Sequence, residues 1–186
     1  MPPGRALAGP RPAAWGNCRL SPREKTRALV DFADEAMAAL RHHVSRSTDF
    51  RSARNLYPRV VLDPSAESRF AQSLPVFAEH YDEVVLMAMP WLDGTELPAG
   101  EWLADLADAV EGQLGGFEGV IFELQARDWR EGGDWVEGTT LRRWMRQLMR
   151  RGALNLAYYP DDFLRDRPPL GPTFEGISLN AFPHRK

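Results

Sequence analysis

The chain has 186 residues, 44% hydrophobic and 26% charged, with a formal net charge of −3; that is the make-up of one folded domain with a substantial core and excludes a disordered chain. The acidic balance gives no electrostatic case for nucleic acid, and no apolar run approaches the roughly 18 residues of a membrane helix. A single cysteine, Cys18, excludes an internal disulfide and a cysteine-based zinc cluster.

Residues 1–21 are rich in Pro, Gly, Ala and Arg and lack the continuous apolar core of a secretory signal. They are read as an irregular leader, and residues 22–186 as the folded domain. From Pro22 to about Val44, apolar residues recur at three- and four-residue steps behind Ser21 and Pro22, a capping residue and a first-turn proline, which predicts a helix. Residues 52–57 read as a strand that Pro58 ends or bends. Residues 64–80 carry Ala66, Phe70, Leu74 and Phe77 at helical spacing with Pro75 inside, predicting two short helices or one kinked one.

Residues 83–90 form a second strand, apolar on both faces as a sheet covered by helices requires. Trp102, Leu103, Leu106, Ala109 and Val110 then lie along one stripe of a helix over 98–111, broken by Gly112 to Gly116. A third strand opens at Gly119, and a glycine-rich loop over 131–138 follows it. Thr139 and Thr140 are placed to cap a helix with Leu141, Trp144, Met145 and Leu148 inward and Arg142, Arg143, Arg146 and Arg150 outward. Gly152 fits its C-terminal end, and residues 154–159 form the last strand.

Strands opening near 52, 83, 119 and 154 give a βα repeat of roughly 31–36 residues, the pattern of a parallel α/β sheet. A complete (β/α)8 barrel takes about 250 residues. Four units are therefore either a small open α/β sheet or the C-terminal half of a (β/α)8 barrel, and the pattern by itself does not separate the two.

The chemistry gathers where the strands end. On the period-2 rule Glu123 and Gln125 share one face of the third strand, at the end where parallel α/β sheets keep their sites. The other strand ends add Arg54, Asn55 and Tyr57; Trp91 and Asp93; Asp128 and Trp129; and Tyr158, Tyr159, Asp161 and Asp162. Aromatic rings beside carboxylates and amides suit sugar recognition: the ring packs on the C–H face of a pyranose while the polar groups bind its hydroxyls. Asp161 or Asp162 equally suits capping of the segment after the last strand. Glu123, in the middle of a strand core, has to be paired, with Arg54 or Arg127, or functional. No glycine-rich phosphate loop, nucleophile elbow or histidine-based metal set is present, so neither a cofactor nor a metal is expected.

Ser52-Ala-Arg-Asn-Leu-Tyr57, Arg69-Phe-Ala-Gln-Ser73, Tyr81-Asp82, Met87-Ala-Met-Pro90, Phe122-Glu-Leu-Gln-Ala126 with Trp129, and Tyr158-Tyr-Pro-Asp161 stand in this order. Together they resemble the C-terminal, glycoside-hydrolase-like domain of bacterial poly-β-1,6-N-acetyl-D-glucosamine N-deacetylases, from about residue 25 to residue 183. The resemblance implies the C-terminal half of a (β/α)8 barrel. It also implies a domain that binds and cleaves partially de-N-acetylated poly-N-acetylglucosamine during biofilm polymer export, at the periplasm or outer membrane. Trp129 matches the family's substrate-stacking tryptophan, and Trp91 falls where the family carries an aromatic after Met-Ala-Met-Pro.

Arg54, Asn55, Trp91, Glu123, Gln125, Asp128, Trp129, Tyr159, Asp161 and Asp162 are the expected substrate-binding residues. An acidic cleft also suits the free amines of such a polymer. The family's proposed catalytic aspartates lie in an Asp-Asp motif of the first half of the barrel, which has no counterpart in this sequence. The catalytic residue is left unassigned and little hydrolysis by the isolated chain is expected. The alternative is a non-catalytic carbohydrate-binding fragment complemented by an N-terminal half-barrel, and an open half-barrel also predicts self-association.

Overall fold

The computed structural model describes residues 20–43, 51–130 and 132–177; the leader assigned to residues 1–21 lies outside them except for Leu20 and Ser21. The elements run α1 (Pro22–His43), β1 (Ala53–Leu56), α2 (Arg59–Leu62), α3 (Glu67–Phe70), α4 (Leu74–His80), β2 (Glu83–Ala88), α5 (Pro90–Asp93), α6 (Ala99–Leu114), β3 (Val120–Gln125), α7 (Gly138–Arg150), β4 (Leu156–Tyr159) and α8 (Leu170–Ile177). The four strands form one parallel sheet in the order β1-β2-β3-β4. This is the expected succession of βα units. Among the described residues no helix is long and apolar enough to cross a membrane.

The two faces of the sheet differ. The rung Leu56–Leu86–Phe122 crosses three strands in register, with Val84–Val120 below it and Ala88–Leu124 above, and all seven side chains are shut off from solvent. Leu74 and Phe77 of α4, Leu103, Leu106 and Val110 of α6, and Leu141, Met145 and Leu148 of α7 complete that core. On the opposite face the rungs are Asn55–Val85–Ile121 and Met87–Glu123–Ala157, and these side chains are half-buried or exposed. One face of the sheet is therefore a finished core and the other is open.

Local chemistry explains most element ends. The Ser21 hydroxyl accepts from the Glu24 amide while the Glu24 carboxylate accepts from the Ser21 amide, a reciprocal capping box ahead of Pro22. At the foot of the sheet, Asp82 accepts from both the amide (2.6 Å) and the hydroxyl (2.8 Å) of Ser52. These bonds hold its carboxyl below the usual aspartate range and fix how β1 and β2 start. The segment over 64–80 is a 3-10 turn (Pro64–Ala66) leading into two short helices. The break is at Ala71, in the left-handed region with φ 50°, and Pro75 falls in the first turn of α4, where it costs no hydrogen bond.

Among the boundaries that differ from the sequence reading are the end of α6 and the start of α7. Gly112 does not stop α6, which runs to Leu114 and ends at Gly115 with φ +76°. The reason is tertiary: the buried stripe of Trp102, Leu103, Leu106 and Val110 is followed by a Gln113 side chain donating to the Val61 carbonyl, which outweighs the roughly 1 kcal/mol cost of one helical glycine. Thr139 and Thr140 are not the caps of α7 either. That helix starts at Gly138 after Glu137, and Gly138 packs so closely on Pro172 that a Cβ there would lie 2.9 Å from it.

Phe122 is at the centre of the finished face, so Phe122→Ala is expected to cost about 3–5 kcal/mol of unfolding free energy in urea titration. Phe163→Ala, at a side chain 77% exposed, is expected to change it by no more than about 0.5 kcal/mol.

Candidate functional site

The C-terminal ends of β2 and β3 are joined by one side chain. Gln125 is fully buried. Its Oε1 accepts from the backbone amides of Trp91 (3.1 Å) and Leu92 (3.3 Å), and its Nε2 donates to the Arg127 carbonyl at 2.7 Å. The carboxamide is thus spent on backbone and is not on the wall of a cavity. Gln125, expected on sequence grounds to touch substrate, is buried and bonded to backbone, and so sets where its neighbours stand.

Beyond Gln125 the chain folds back on itself. The Val136 amide donates to the Ala126 carbonyl, the Asp128 amide donates to the Asp134 carbonyl, and Arg127 bridges to Trp135. The glycine-rich stretch is therefore a paired loop. The Arg127 Nε donates to the Gly133 carbonyl, and its guanidinium lies over the Trp135 ring at 5.8 Å.

On the open face, Asn55, Met87, Met89, Leu92, Glu123, Trp129 and Tyr159 line a cavity of about 570 Å³. The rings of Trp129 and Tyr159 are 42% and 54% exposed. Their centroids are 6.1 Å apart with 31° between planes, so they form one aromatic platform at the rim. Met87, Met89 and Leu92, quoted from sequence only as far as the Met87-Ala-Met-Pro90 motif and not as site residues, supply the apolar wall; the two-residue spacing of Met87 and Met89 was the signal that could have found those two, and nothing local pointed to Leu92. Arg54 lines an adjoining cavity of about 490 Å³ with Asn55, Tyr57, Gln72 and Met87.

Glu123 stands in this cavity with no hydrogen-bond or ion-pair partner among the described residues. Neither arginine considered for it reaches it: Arg54 lies over Phe77, and Arg127 is committed to Gly133 and Trp135. Burial without a partner pushes the carboxyl above the ordinary glutamate value of 4.5. Asp93, beside Leu92, is also pushed up, mainly by burial, against the opposing pull of Arg59 and the Trp102 indole.

The remaining candidates are placed elsewhere. Asp128 holds Arg130 in a bidentate pair (2.9 and 2.7 Å), which lowers its own pKa, and the Arg130 guanidinium lies 4.9 Å over the Trp91 ring. Trp91 and Asp128 face a different cavity, of about 790 Å³. Asp162 caps the turn after β4, accepting from the Arg165 amide, and pairs with the Arg165 side chain. Asp161 is exposed in the same segment. Of the ten expected residues the structure brings together Asn55, Glu123, Trp129 and Tyr159, with Arg54 next door. Among the described residues no cluster of three or more His, Cys, Asp or Glu side chains is arranged to hold a metal.

The family model of hypothetical glycosyl hydrolase family 13, GHL13, matches residues 13–159. The chain belongs to this family. It is 35% identical over 151 residues to the poly-beta-1,6-N-acetyl-D-glucosamine N-deacetylases of Escherichia coli K12 and O157:H7, a match covering 80% of this chain and 22% of those proteins. Among solved structures it superposes on the PgaB (BpsB) glycoside hydrolase domain from Bordetella bronchiseptica with a TM-score of 0.74 and 40% identity, over 85% of this chain and 45% of that one. The GHL13 chain described here thus spans about a fifth of its curated relatives and less than half of the Bordetella domain, and its sheet is a partial (β/α)8 barrel of that type.

Two outcomes are expected from the site. Gln125→Leu removes the partner of two part-buried amides and a carbonyl, and is expected to lower the unfolding free energy by about 1–3 kcal/mol in chemical denaturation. The second concerns pH. A carboxyl whose pKa is raised by folding binds more protons folded than unfolded, so its stability contribution is complete below pH 4.5 and is lost as pH rises through the raised value. Glu123→Gln is therefore expected to match the parent below pH 4.5 and to exceed it in thermal stability at neutral pH.

Proposed function

We propose that this GHL13 chain contributes the sugar-binding half of a polysaccharide-processing site, and that its ligand is partially de-N-acetylated poly-β-1,6-N-acetyl-D-glucosamine. The observation that carries the reading is the Trp129–Tyr159 platform beside an unpaired, half-buried Glu123 carboxyl in one cavity at the C-terminal end of a parallel sheet. An aromatic platform offers a surface to the C–H face of a pyranose, and Asn55 and Glu123 offer polar groups to its hydroxyls and amines. The names carried by the Escherichia coli relatives and the Bordetella domain support the choice of polymer, while the periplasmic setting rests on the sequence resemblance alone.

Glu123 is also the group this chain offers for proton transfer. A carboxyl pushed up by burial keeps its proton closer to neutral pH than an exposed one, which suits a general acid at a glycosidic oxygen. Hydrolysis needs a second carboxyl across the scissile bond. In this proposal it comes from complementary barrel strands that cover the open face and pair along β1 and β4, which keeps the isolated chain a binder with little turnover.

The test is calorimetric titration with β-1,6-linked glucosamine oligomers. Trp129→Ala is expected to weaken binding about five- to tenfold, the worth of one aromatic contact. Equal affinity of parent and variant would sink the platform reading.

A further inference from the structure

A second cavity is larger than the one at the open face: the space of about 790 Å³ walled by the start of α6 (Ala99, Gly100, Glu101, Ala104), the paired loop after β3 (Asp128, Asp134, Trp135) and the start of α7 (Glu137, Thr140, Arg143, Trp144). Helices that follow parallel strands begin at the strands' C-terminal ends, so this cavity opens at the same end of the molecule as the Glu123 cavity.

Two short stretches of backbone separate the cavities, and each presents consecutive residues to opposite sides. Trp91 lines the outer cavity and its neighbour Leu92 the inner one; Asp128 lines the outer cavity and its neighbour Trp129 the inner one. Gln125 binds the amides of Trp91 and Leu92 and the carbonyl of Arg127, so the two stretches form one fixed wall.

The outer cavity has the features of a formed site. Its aromatic members are held in place: Trp144 is buried and meets Trp91 edge-on at 5.5 Å, Arg130 lies over Trp91, and Arg127 lies over Trp135. Its floor is narrow backbone and small side chains, with Gly100 locked by a 2.6 Å bond from Gln147 to its carbonyl. Around these stand exposed carboxylates of Glu101, Asp134 and Glu137. The volume falls in the range of small-ligand sites, about 300–1,000 Å³. Glu101 and Glu137 offset the positive ends of α6 and α7, and Asp134 has no such duty.

We propose that the outer cavity is a second saccharide subsite, in which a pyranose unit packs against Trp135 and presents hydroxyl or ammonium donors to Asp134 and its neighbours. One polymer chain would occupy it after crossing the Leu92–Trp129 wall from the inner cavity. The inference rests on the reading of the inner cavity as an amino-sugar site, and it adds that affinity grows with chain length until both cavities are filled.

The experiment compares β-1,6-linked glucosamine oligomers of increasing length on the 186-residue chain by calorimetry. Ala104→Phe fills the outer cavity from α6, and Trp135→Ala opens it from the loop. Each is expected to lower affinity for the longest oligomers about five- to tenfold and to flatten the dependence on length, whereas Trp129→Ala weakens every length. Unchanged length dependence in both outer-cavity variants, with Trp129→Ala still weakened, overturns the second subsite and leaves the proposed function standing. Absence of binding by the parent at every length overturns both.

Discussion

The side-chain amide of Gln125 is the constraint on which the rest of the functional end depends. Three hydrogen bonds from a fully buried group, to Trp91, Leu92 and Arg127, hold two loops from neighbouring strands at a fixed separation. A buried carboxamide left without partners would cost roughly 1–3 kcal/mol per unsatisfied group, so the loops cannot drift without breaking something expensive. The consequence is the shared wall. Leu92 and Trp129 are delivered to one cavity and Trp91 and Asp128 to the other, with Trp91, Leu92 and Arg127, the residue before Asp128, all tied to the same side chain.

Glu123, two positions earlier on the same strand, has the opposite situation. Its rung neighbours are Met87 and Ala157, neither able to pair with it. The carboxyl is half-buried, unpaired and raised in pKa. Structurally this is a cost, because the charged form at neutral pH is the one that burial disfavours. A side chain that weakens the fold where a glutamine would not is the kind of local inconsistency that marks functional positions.

The sequence pattern carried the sheet and the main helices because each was consistent at several levels. The capping box of α1, the two-residue alternation of β3 and the stripe of α7 all follow from residues close in sequence, whereas β2, apolar on both faces in sequence and expected to be covered on both, has one half-buried face. What it missed depended on contacts between distant residues. Gly112 continues a helix that Gln113 ties to Val61, and α7 starts one residue before its threonines at a glycine packed against Pro172. Glu123 and Gln125 share a face on any two-residue rule, yet the loop closes over Gln125 and leaves Glu123 open, and nothing local distinguishes them. Trp135 was read as part of a glycine-rich loop, since its pairing with Arg127 is set by the fold-back at Gly132 and Gly133, both with positive φ.

The open face and the raised carboxyl are one problem. Val85, Met87 and Ile121 stand half-buried beside Glu123 on a surface that, in a closed eight-stranded barrel, is packed by layers of side chains. Any strands that cover this face take more water from Glu123 and bring no compensating charge unless they carry it themselves. Covering with apolar side chains alone would push the carboxyl further toward its neutral form, whereas a second carboxylate nearby would push it the same way by repulsion. A basic residue would reverse the shift. The protonation state of Glu123 would therefore follow any strands that covered this face, and the chemistry available at the cavity would change with the charges they carried.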